Sequence, residues 1–500
     1  MGRTIGFCVL SFLIGAAALA FGAVEGWASA WLLFGALVAV AAVVWKDPWG
    51  GLRRAGSFPV LLPALLLIVW GVLQSAPLPR GLVKVLSPRT ARLQASLVPA
   101  EGGEAMPAFL AGKATASGVQ IDGNASAPRG PADRGSLAAR SSLSVNPAAT
   151  RRACLAWLTP ILLAFAAERL SRDRLTRYRL LWAVASWTGV LGAIAILGRV
   201  MGNGKILWIR EMPGDAIPIG PFVNGNHYAA YVTLGILVSF GLLLAILGGP
   251  DGQLSRENVR AALVDRAWSV PRLIVLGAFV ILGTSGLILS GSRGGLIALA
   301  AGLVVLLPLG RLRALIPAAV AVVVLAALAL GLASWLGREQ RTLQTGFFAE
   351  SVSDPSLATR SDMWGRTWRI IVDHPLTGTG LGTFPWAYAT YDREGEWLGT
   401  LQAHNDYLQL ISDTGLVGLV LLAWLIVALI RRGFLPALRP PEGRAPWTTI
   451  ALAAAAFAML VHSVLEFNFQ IPAVAALFAV IAGMLLAAAA PGDRREESPS

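Results

Sequence analysis

The chain has 500 residues, of which 55% are hydrophobic and 14% are charged, and its mean hydropathy is +0.64. A formal net charge of +13 is typical of nucleic-acid-binding proteins, but most arginines here lie in short segments between apolar runs, where they act as orientation signals. The composition therefore excludes a soluble nucleic-acid-binding protein and predicts an all-α integral membrane protein.

Apolar runs close to the ~20 residues needed to cross a bilayer recur along the whole chain. Each run ends at a charged, Gly-rich or Pro-rich break, so the pattern predicts about twelve transmembrane helices. The predicted spans are residues 5–23, 27–45, 58–75, 152–167, 180–198, 227–247, 272–290, 294–310, 314–336, 407–430, 446–465 and 473–490.

The distribution of arginines sets the predicted orientation of these helices. Arg-rich segments such as ERLSRDRLTRYR and RRGFLPALRPPEGR fall on the side of the N-terminus, whereas the short loops of the other side hold few basic residues. Cytoplasmic loops carry the excess of Lys and Arg, so both termini are predicted to be cytoplasmic. The first span also has the basic start and the Ala-Leu-Ala of a signal peptide, but its single Arg and the short turn after it favour a retained helix.

Two long loops lie outside the predicted membrane, both on the external side. Residues 76–151 become rich in Ala, Gly, Ser and Pro, which predicts a largely mobile loop. Residues 337–406 hold two histidines, several arginines and many aromatic residues, which predicts a functional loop. The predicted organisation is transmembrane helices at 1–75, a loop at 76–151, helices at 152–336, the functional loop at 337–406, helices at 407–490 and a cytoplasmic tail at 491–500.

Strongly polar residues stand at the external ends of several predicted helices. Some have a structural explanation: Asn226 and His227 as a helix cap, or Arg293 as a residue that reaches the headgroup layer. His462 and Glu466 are four residues apart and can pair on one side of a helix. Polar residues at membrane depth are costly and tend to mark function, so their convergence on one membrane face predicts a site. The polar residues at these ends are Asn226, His227, Arg293, His404, Asn405, Asp406, His462 and Glu466.

The functional loop contains the segment TRSDMWGRTWRIIVDHPLTGTGLGTFPWAY. Trp364, Trp368 and Ile371 recur at helical spacing, which predicts a short helix in the headgroup layer that breaks at Pro375. The GTGLG string lacks the preceding strand and the following Lys-Ser/Thr of a nucleotide-binding loop. Its backbone amides form either an anion nest or a plain turn. The arginines of the predicted helix are Arg360, Arg366 and Arg369.

These residue types suit phosphate chemistry. Arg293 stands at a predicted helix N-terminus, where free amides and the helix dipole favour an anion. Arg360 can add a second guanidinium for bidentate recognition of phosphate. His404 is the natural proton acceptor, because imidazole titrates near physiological pH. A base beside a lipid diphosphate predicts transfer of a group from that lipid to a hydroxyl.

The motifs SGSRGG, HPLTGTGLGTF and above all AHNDYLQLISDTGLVGL resemble those of the O-antigen ligase and Wzy polymerase superfamily. FVNGNHYAAY and EFNFQIP fit its other signatures, so the resemblance covers roughly residues 180–475. It implies an inverting glycosyl transfer, without metal or cofactor, from an undecaprenyl diphosphate-linked glycan to an acceptor at the periplasmic face of the bacterial inner membrane. By motif match, His404 takes the place of the family's essential histidine and Arg293 and Arg360 take the places of its essential arginines.

The resemblance also implies a wider set of substrate-binding residues, and it makes the loop at 337–406 a periplasmic catalytic loop. The predicted substrate-binding residues are Asn226, His227, Arg366, Arg369, Asn405, Asp406, His462 and Glu466. The expected partners are the lipid-linked glycan donor, a lipid A-core or glycan acceptor, and membrane lipids, with no nucleic acid.

Several functions share this pattern. A polymerase carries an Arg and a Gly separated by ten residues in each of two external loops. The pair Arg369 and Gly380 fits, but Arg210 and Gly220 are one residue too close, which favours a ligase. A protein O-glycosyltransferase of the same superfamily stays open, because the motifs do not encode the acceptor. A transporter of lipid-linked glycans is the rival from another class, but it would place ionisable groups near the bilayer midplane, often in inverted repeats.

Overall fold

The structure, a computed structural model, describes residues 2–45, 58–97, 140–211, 219–249, 252–266, 268–306, 355–391, 401–439 and 446–490. Most of these residues are helical, as lipid requires, because a helix satisfies its own backbone hydrogen bonds. In chain order the elements are α1 (Gly2–Leu19), α2 (Gly26–Val44), α3 (Phe58–Gln74), β1 (Leu78–Pro79), α4 (Arg80–Leu86), α5 (Pro88–Leu97), β2 (Arg140–Ser141), α6 (Pro147–Ser171), α7 (Arg174–Met201), α8 (Gly225–Gly248), α9 (Arg256–Arg260), α10 (Ser269–Leu289), α11 (Arg293–Leu306), α12 (Pro355–Asp373), α13 (Phe384–Ala389), α14 (Asp406–Leu429), α15 (Leu435–Leu438), α16 (Trp447–His462) and α17 (Pro472–Ala488).

The helices agree with an all-α membrane protein. Seven described helices are long and apolar enough to cross a membrane: α1, α2, α6, α7, α8, α10 and the helical stretch Asp406–Leu438, which begins with α14 and is kinked at Gly415 (φ +65°). Four shorter apolar helices, α3, α11, α16 and α17, coincide with further predicted spans. The predicted span at 314–336 and the cytoplasmic tail at 491–500 lie outside the described residues. The count of twelve spans and the orientation stay predictions.

The chain folds into two compact units. Unit 1 comprises Met1–Ala64, Ala156–Asp354 and Trp424–Ser500, and unit 2 comprises Leu65–Leu155 and Pro355–Ala423. Unit 2 therefore combines the described parts of both predicted external loops with helical segments beside them in the sequence. The Ala-, Gly-, Ser- and Pro-rich part of the first loop lies outside the described residues. The part before it, residues 80–97, forms α4 and α5.

Unit 1 is organised around α8, which is buried along nearly its whole length. Small residues let its neighbours approach closely, as in other helical membrane proteins. A Cβ added to Gly241 would lie 2.1 Å from the Cβ of Ala451 on α16, and one added to Gly235 would lie 1.6 Å from Thr188 Oγ1 on α7. Any larger residue at these positions would separate the helices, so glycine allows α8 to pack closely against α7 and α16.

Unit 2 is built around a small apolar core beneath α12. The buried residues Met363 and Ile370 recur along one side of α12, at about two turns, and pack with residues of α13 and the chain before α14. The two-residue strands β1 and β2 pair antiparallel, with Leu78 opposite Ser141. This short ladder is a local exception in a helical protein, and it joins the two ends of the first loop. The buried core residues are Met363, Ile370, Phe384, Ala387, Tyr388 and Ala403.

Candidate active site

Three helix ends meet at one end of unit 1. Helix α8 begins at Gly225, α11 begins at Arg293, and α16 ends at His462. A Cβ on Gly225 would lie 3.0 Å from the Ser290 carbonyl oxygen, and one on Gly294 would lie 3.0 Å from His462 Nε2. The structure thus brings together the predicted residues of this unit. We call Asn226, His227, Arg293, His462 and Glu466 the helix-end cluster.

A short hydrogen bond ties two members of the helix-end cluster together. Asn226 Nδ2 donates to Glu466 Oε1 at 2.5 Å, and the Glu466 side chain is almost completely buried. The prediction that His462 and Glu466 share one side of a helix is wrong, because α16 ends at His462 and Glu466 lies in the turn beyond it. That turn carries the Glu466 carboxylate to the first turn of α8.

The two histidines of the cluster are buried. His227 is 3% exposed and its ring meets the Phe467 ring edge-on at 4.5 Å, while His462 is 1% exposed. The cap of α8 is Asn224, whose side-chain oxygen accepts from the Asn226 backbone N–H at 2.8 Å. Asn226 and His227 therefore stand in the first turn of the helix, and the helix-cap interpretation of them is wrong.

Arg293 occupies the first residue of α11 and is half-buried. Ser292 precedes it, and the Ser292 hydroxyl accepts from the Gly295 backbone N–H at 3.1 Å. The positive end of the helix dipole remains beside the guanidinium, because a cap satisfies one amide and leaves the dipole in place. The position matches the predicted anion site, whose occupation by a diphosphate stays a proposal.

In unit 2, the segment from His374 to Phe384, which we call the glycine loop, is a structural turn. Its amides are used inside the protein: Thr379 N–H donates to Ser412 O, Gly380 N–H to Asp413 O, and Leu381 N–H to Gln74 Oε1, at 2.8–3.0 Å. Gly382 N–H donates to Asp413 Oδ2 at 2.8 Å. Because these amides already have acceptors, the structure favours the plain turn over the anion nest.

Two buried polar side chains that the sequence reasoning passed over organise the glycine loop. Gln74, at the end of α3, donates to the carbonyl oxygens of Thr377 and Asp413 at 2.7 and 2.9 Å. Asp413, inside α14, is 2% exposed. Both residues lie within predicted transmembrane spans, and a polar residue inside an apolar run was the available signal.

His404 stands in a short segment directly before α14, residues 401–405, which we call the histidine segment. It is half-buried, and its backbone is left-handed with φ +47°. The left-handed conformation of a non-glycine residue is unfavourable by about 1–3 kcal/mol, so it persists only where the surrounding structure holds the residue in it. Asn405, not His404, caps α14, because the Asn405 side-chain oxygen accepts from the Tyr407 and Leu408 backbone N–H groups at 3.0 Å.

Buried contacts fix the histidine segment on both sides. Trp364 Nε1 on α12 donates to the Ala403 carbonyl oxygen at 3.0 Å, and the Ala403 N–H donates to Gln409 Oε1 at 2.9 Å. Asp406 is 6% exposed in the first turn of α14, where the helix dipole favours an acidic side chain. The segment that presents His404 is therefore held against α12, one helical turn from Arg360.

The three arginines of α12 differ in exposure. Arg360 is half-buried, Arg366 pairs with Asp362 at 2.9 Å, and Arg369 is exposed. The prediction of a short helix that breaks at Pro375 is confirmed. Its buried side is formed by Met363 and its neighbours at helical spacing, whereas Trp368 is 59% exposed. An exposed tryptophan agrees with a position in the headgroup layer, which stays a prediction.

The described part of the chain holds no group of three or more His, Cys, Asp or Glu side chains arranged to bind a metal ion. The fixed positive charges near the predicted site are guanidinium groups. The acids Asp362, Glu466 and Asp406 lie on separate elements: Asp362 pairs with Arg366 on α12, Glu466 accepts from Asn226, and Asp406 lies in the first turn of α14.

The chain was compared with models of known protein families. Residues 278–423 match the family model described as O-antigen ligase. The matched range contains Arg293, the arginines of α12 and His404, while the first turn of α8 and the turn after α16 lie outside it. No curated protein shows a significant match to the chain.

Proposed function

We propose that this chain is a membrane glycosyltransferase of the ligase type. Its match to the O-antigen ligase family model places it in the O-antigen ligase and Wzy polymerase superfamily. It transfers a glycan from undecaprenyl diphosphate to a hydroxyl of an acceptor, in the first place lipid A-core. The reaction takes place at the periplasmic face of the bacterial inner membrane. The observation that supports this function best is His404, half-buried and held in a left-handed conformation within the matched domain.

His404 serves as the general base. It removes the proton from the acceptor hydroxyl as that oxygen attacks the anomeric carbon of the donor sugar. The bond between this carbon and the diphosphate oxygen breaks on the opposite face, so the configuration at the carbon inverts. Undecaprenyl diphosphate leaves, and the proton on His404 passes to solvent. Positioned general bases of this kind contribute roughly 100- to 10,000-fold to rate.

Arg293 and Arg360 stabilise the departing diphosphate. Fixed guanidinium groups in a partly dehydrated site stabilise developing negative charge far better than the same groups would in water. Both arginines are half-buried, which restricts their geometry. We expect Arg293→Lys to be impaired as well, because a point charge does not reproduce the two-pronged contact of a guanidinium with phosphate.

The remaining predicted residues take binding roles. In the helix-end cluster, Glu466 holds the Asn226 amide, and the histidines His227 and His462 line the same helix ends. Such a mixture of amide, imidazole and carboxylate suits sugar hydroxyls, which both donate and accept hydrogen bonds. On α12, the helix that also carries Arg360, Arg366 and Arg369 add further positive charge.

The proposal includes independence from divalent metal. Enzymes that act on diphosphates commonly use Mg²⁺ held by one or two carboxylates together with the substrate's phosphates. In this protein Arg293 and Arg360 supply the positive charge that Mg²⁺ supplies in those enzymes. Purified protein should keep full activity after exhaustive EDTA treatment. A loss that Mg²⁺ or Mn²⁺ restores would contradict the arginine mechanism.

Gly380, one residue of the polymerase pattern, also has a structural explanation. The match to the polymerase pattern rests on Gly380 following Arg369. Gly380 has φ +115°, and a Cβ there would lie 2.4 Å from Ser144 Oγ, so packing alone requires glycine at this position. The pattern therefore carries little weight for a catalytic role.

Purified protein in liposomes tests the function. The donor is an undecaprenyl diphosphate-linked glycan, offered with lipid A-core, with a second lipid-linked glycan or with an acceptor protein. Transfer to lipid A-core supports the ligase, growth of the lipid-linked glycan indicates a polymerase, and a labelled protein indicates an O-glycosyltransferase. Movement of labelled lipid across the bilayer without covalent transfer would indicate that the protein is a transporter and not a glycosyltransferase.

A further inference from the structure

The helices α4 and α5 form a docked, positively charged hairpin in unit 2. Arg80 and Lys84 lie four residues apart on α4, so they share one side of that helix, and Arg92 lies on α5. All three side chains are exposed. Among the ion pairs formed by the described residues, none involves these three cations. We call Arg80, Lys84 and Arg92 the hairpin cations.

The hairpin is fixed to the end of α12. Val83, on the inner side of α4, is completely buried. At the start of α5, Ser87 Oγ donates to Thr90 Oγ1 at 2.8 Å, and Thr90 Oγ1 lies 3.2 Å from Nδ1 of the buried His374. Arg89 forms an ion pair with Asp373 at 3.1 Å. These contacts hold the hairpin cations in a set position relative to α12, the helix that carries Arg360.

The exposed surface of α4 is amphipathic. Leu82 is 44% exposed and Val85 is 78% exposed. At 100° per residue the two lie about 60° apart on the helix, well separated from the side that carries Arg80 and Lys84. An exposed apolar strip beside exposed cations is typical of a helix that contacts lipid and binds anionic head groups.

We propose that this hairpin docks the acceptor, and that the acceptor is a phosphorylated glycolipid. The inference rests on the proposed function and adds where the acceptor binds and why it must be anionic. The apolar strip contacts the acyl region, and the hairpin cations bind phosphate groups on the lipid headgroup or inner sugars. An acceptor protein would offer these cations no lipid phosphate, and a second lipid-linked glycan would offer only the diphosphate that joins its sugar to the lipid.

The test compares two triple variants. In the hairpin variant, Arg80→Gln, Lys84→Gln and Arg92→Gln are combined. In the matched control, Arg256→Gln, Arg260→Gln and Arg266→Gln remove three cations from α9 and from the end of the π-helix that follows it (Ala261–Asp265), on the predicted cytoplasmic side. Each protein is reconstituted in neutral phospholipid, with intact lipid A-core or lipid A-core stripped of its phosphates.

For the hairpin variant we expect the KM for intact lipid A-core to rise about tenfold, since each cation near an anionic lipid contributes of order 1 kcal/mol before screening. The KM for the donor and kcat should change little. Dephosphorylated acceptor should raise the KM of the wild type by a similar factor and leave the hairpin variant unaffected. The control should behave as the wild type in every arm.

Three results would overturn the inference. The first is an unchanged acceptor KM in the hairpin variant, and the second is the same rise of KM in the control. The third is a higher KM of the hairpin variant than of the wild type for dephosphorylated acceptor once anionic phospholipid is added to the vesicles. The last result would identify the hairpin as a general membrane anchor. Binding of fluorescent lipid A-core without donor is measured in parallel. If no protein transfers glycan, the proposed function fails, while a binding difference between hairpin variant and control still decides whether the hairpin binds the phosphorylated lipid.

Discussion

In unit 1 the candidate polar residues stand at the ends of long helices, whereas in unit 2 they stand in loops and short helices held by buried side chains. The helix-end cluster owes its geometry to α8, α11 and α16, whose close packing leaves little freedom. The histidine segment owes its geometry to single contacts such as that of Trp364 with Ala403. The first kind of site is set by helix packing and the second by individual hydrogen bonds.

This difference explains what could be predicted from the sequence. Polar residues next to apolar runs showed that His227, Arg293 and His462 would occupy helix ends, because helix period and span length are local properties. The contacts of Gln74 with the glycine loop were beyond prediction, since they join residues about 300 positions apart, 303 in one case. The end of α16 before Glu466 was also missed, because helix ends depend on the turn that follows.

The glycine loop should be the part least tolerant of substitution. Gly378 has φ +65°, and a Cβ there would lie 2.4 Å from backbone atoms of Asp413 and Thr414. We expect Gly378→Ala to lower the free energy of unfolding by about 3 kcal/mol or more, because it combines a backbone clash with a disfavoured conformation. Thermal melting in detergent measures this.

Gly365 provides the control for that substitution. It lies within α12, and a Cβ there would meet nothing within 4 Å. Gly365→Ala should leave stability unchanged or raise it by up to about 1 kcal/mol, as in other helix interiors. Equal destabilisation by both substitutions would show that the glycine loop is not tightly packed.

His374 should make the stability of unit 2 depend on pH. Burial lowers the pKa of His374 from 6.5 to about 4, with Asp373 opposing and Arg89 reinforcing the shift. The unfolded chain therefore binds a proton that the folded chain does not, and stability falls as the pH drops from 6.5 towards 4. At a pH near 4.5 the loss should be about 2.5 kcal/mol.

The matched protein for this measurement is His374→Gln, which keeps a polar side chain and does not titrate. Wild type and variant are melted at several pH values between 7.5 and 4.5. The wild type should lose stability more steeply than the variant below pH 6.5. Parallel curves would mean that the His374 ring is not buried in its neutral form.

In unit 1 the bond between Asn226 and Glu466 should be worth more than an exposed ion pair. Glu466→Ala leaves the Asn226 amide without this acceptor, at a cost of about 2 kcal/mol. Glu25 pairs with Arg210 at 2.7 Å but is 41% exposed, so Glu25→Ala should cost less than about 1 kcal/mol. A reversed order in thermal melts would contradict the description of the helix-end cluster as buried and preorganised.

The smallest effect is expected on the exposed side of α12. Arg369 is exposed, whereas Arg360 is half-buried and lies one turn from the residue that contacts the histidine segment. Arg369→Gln should reduce kcat by no more than about threefold, because an exposed charge is screened by solvent and salt. Arg360→Gln should reduce it far more. Similar kcat values for the two variants would remove Arg360 from the proposed diphosphate site.

The central claim is that His404 is the base for glycosyl transfer, and single-turnover transfer by His404→Ala tests it most directly. Asn405→Ala is compared with it, because it removes the cap of α14 and leaves the imidazole in place. Since Asn405 is a proposed binding residue, its substitution should alter KM more than the rate at saturating substrate. We predict that His404→Ala inserts and binds the donor like the wild type but transfers glycan at least about 100-fold more slowly. Transfer at the wild-type rate in properly inserted His404→Ala protein would contradict the account.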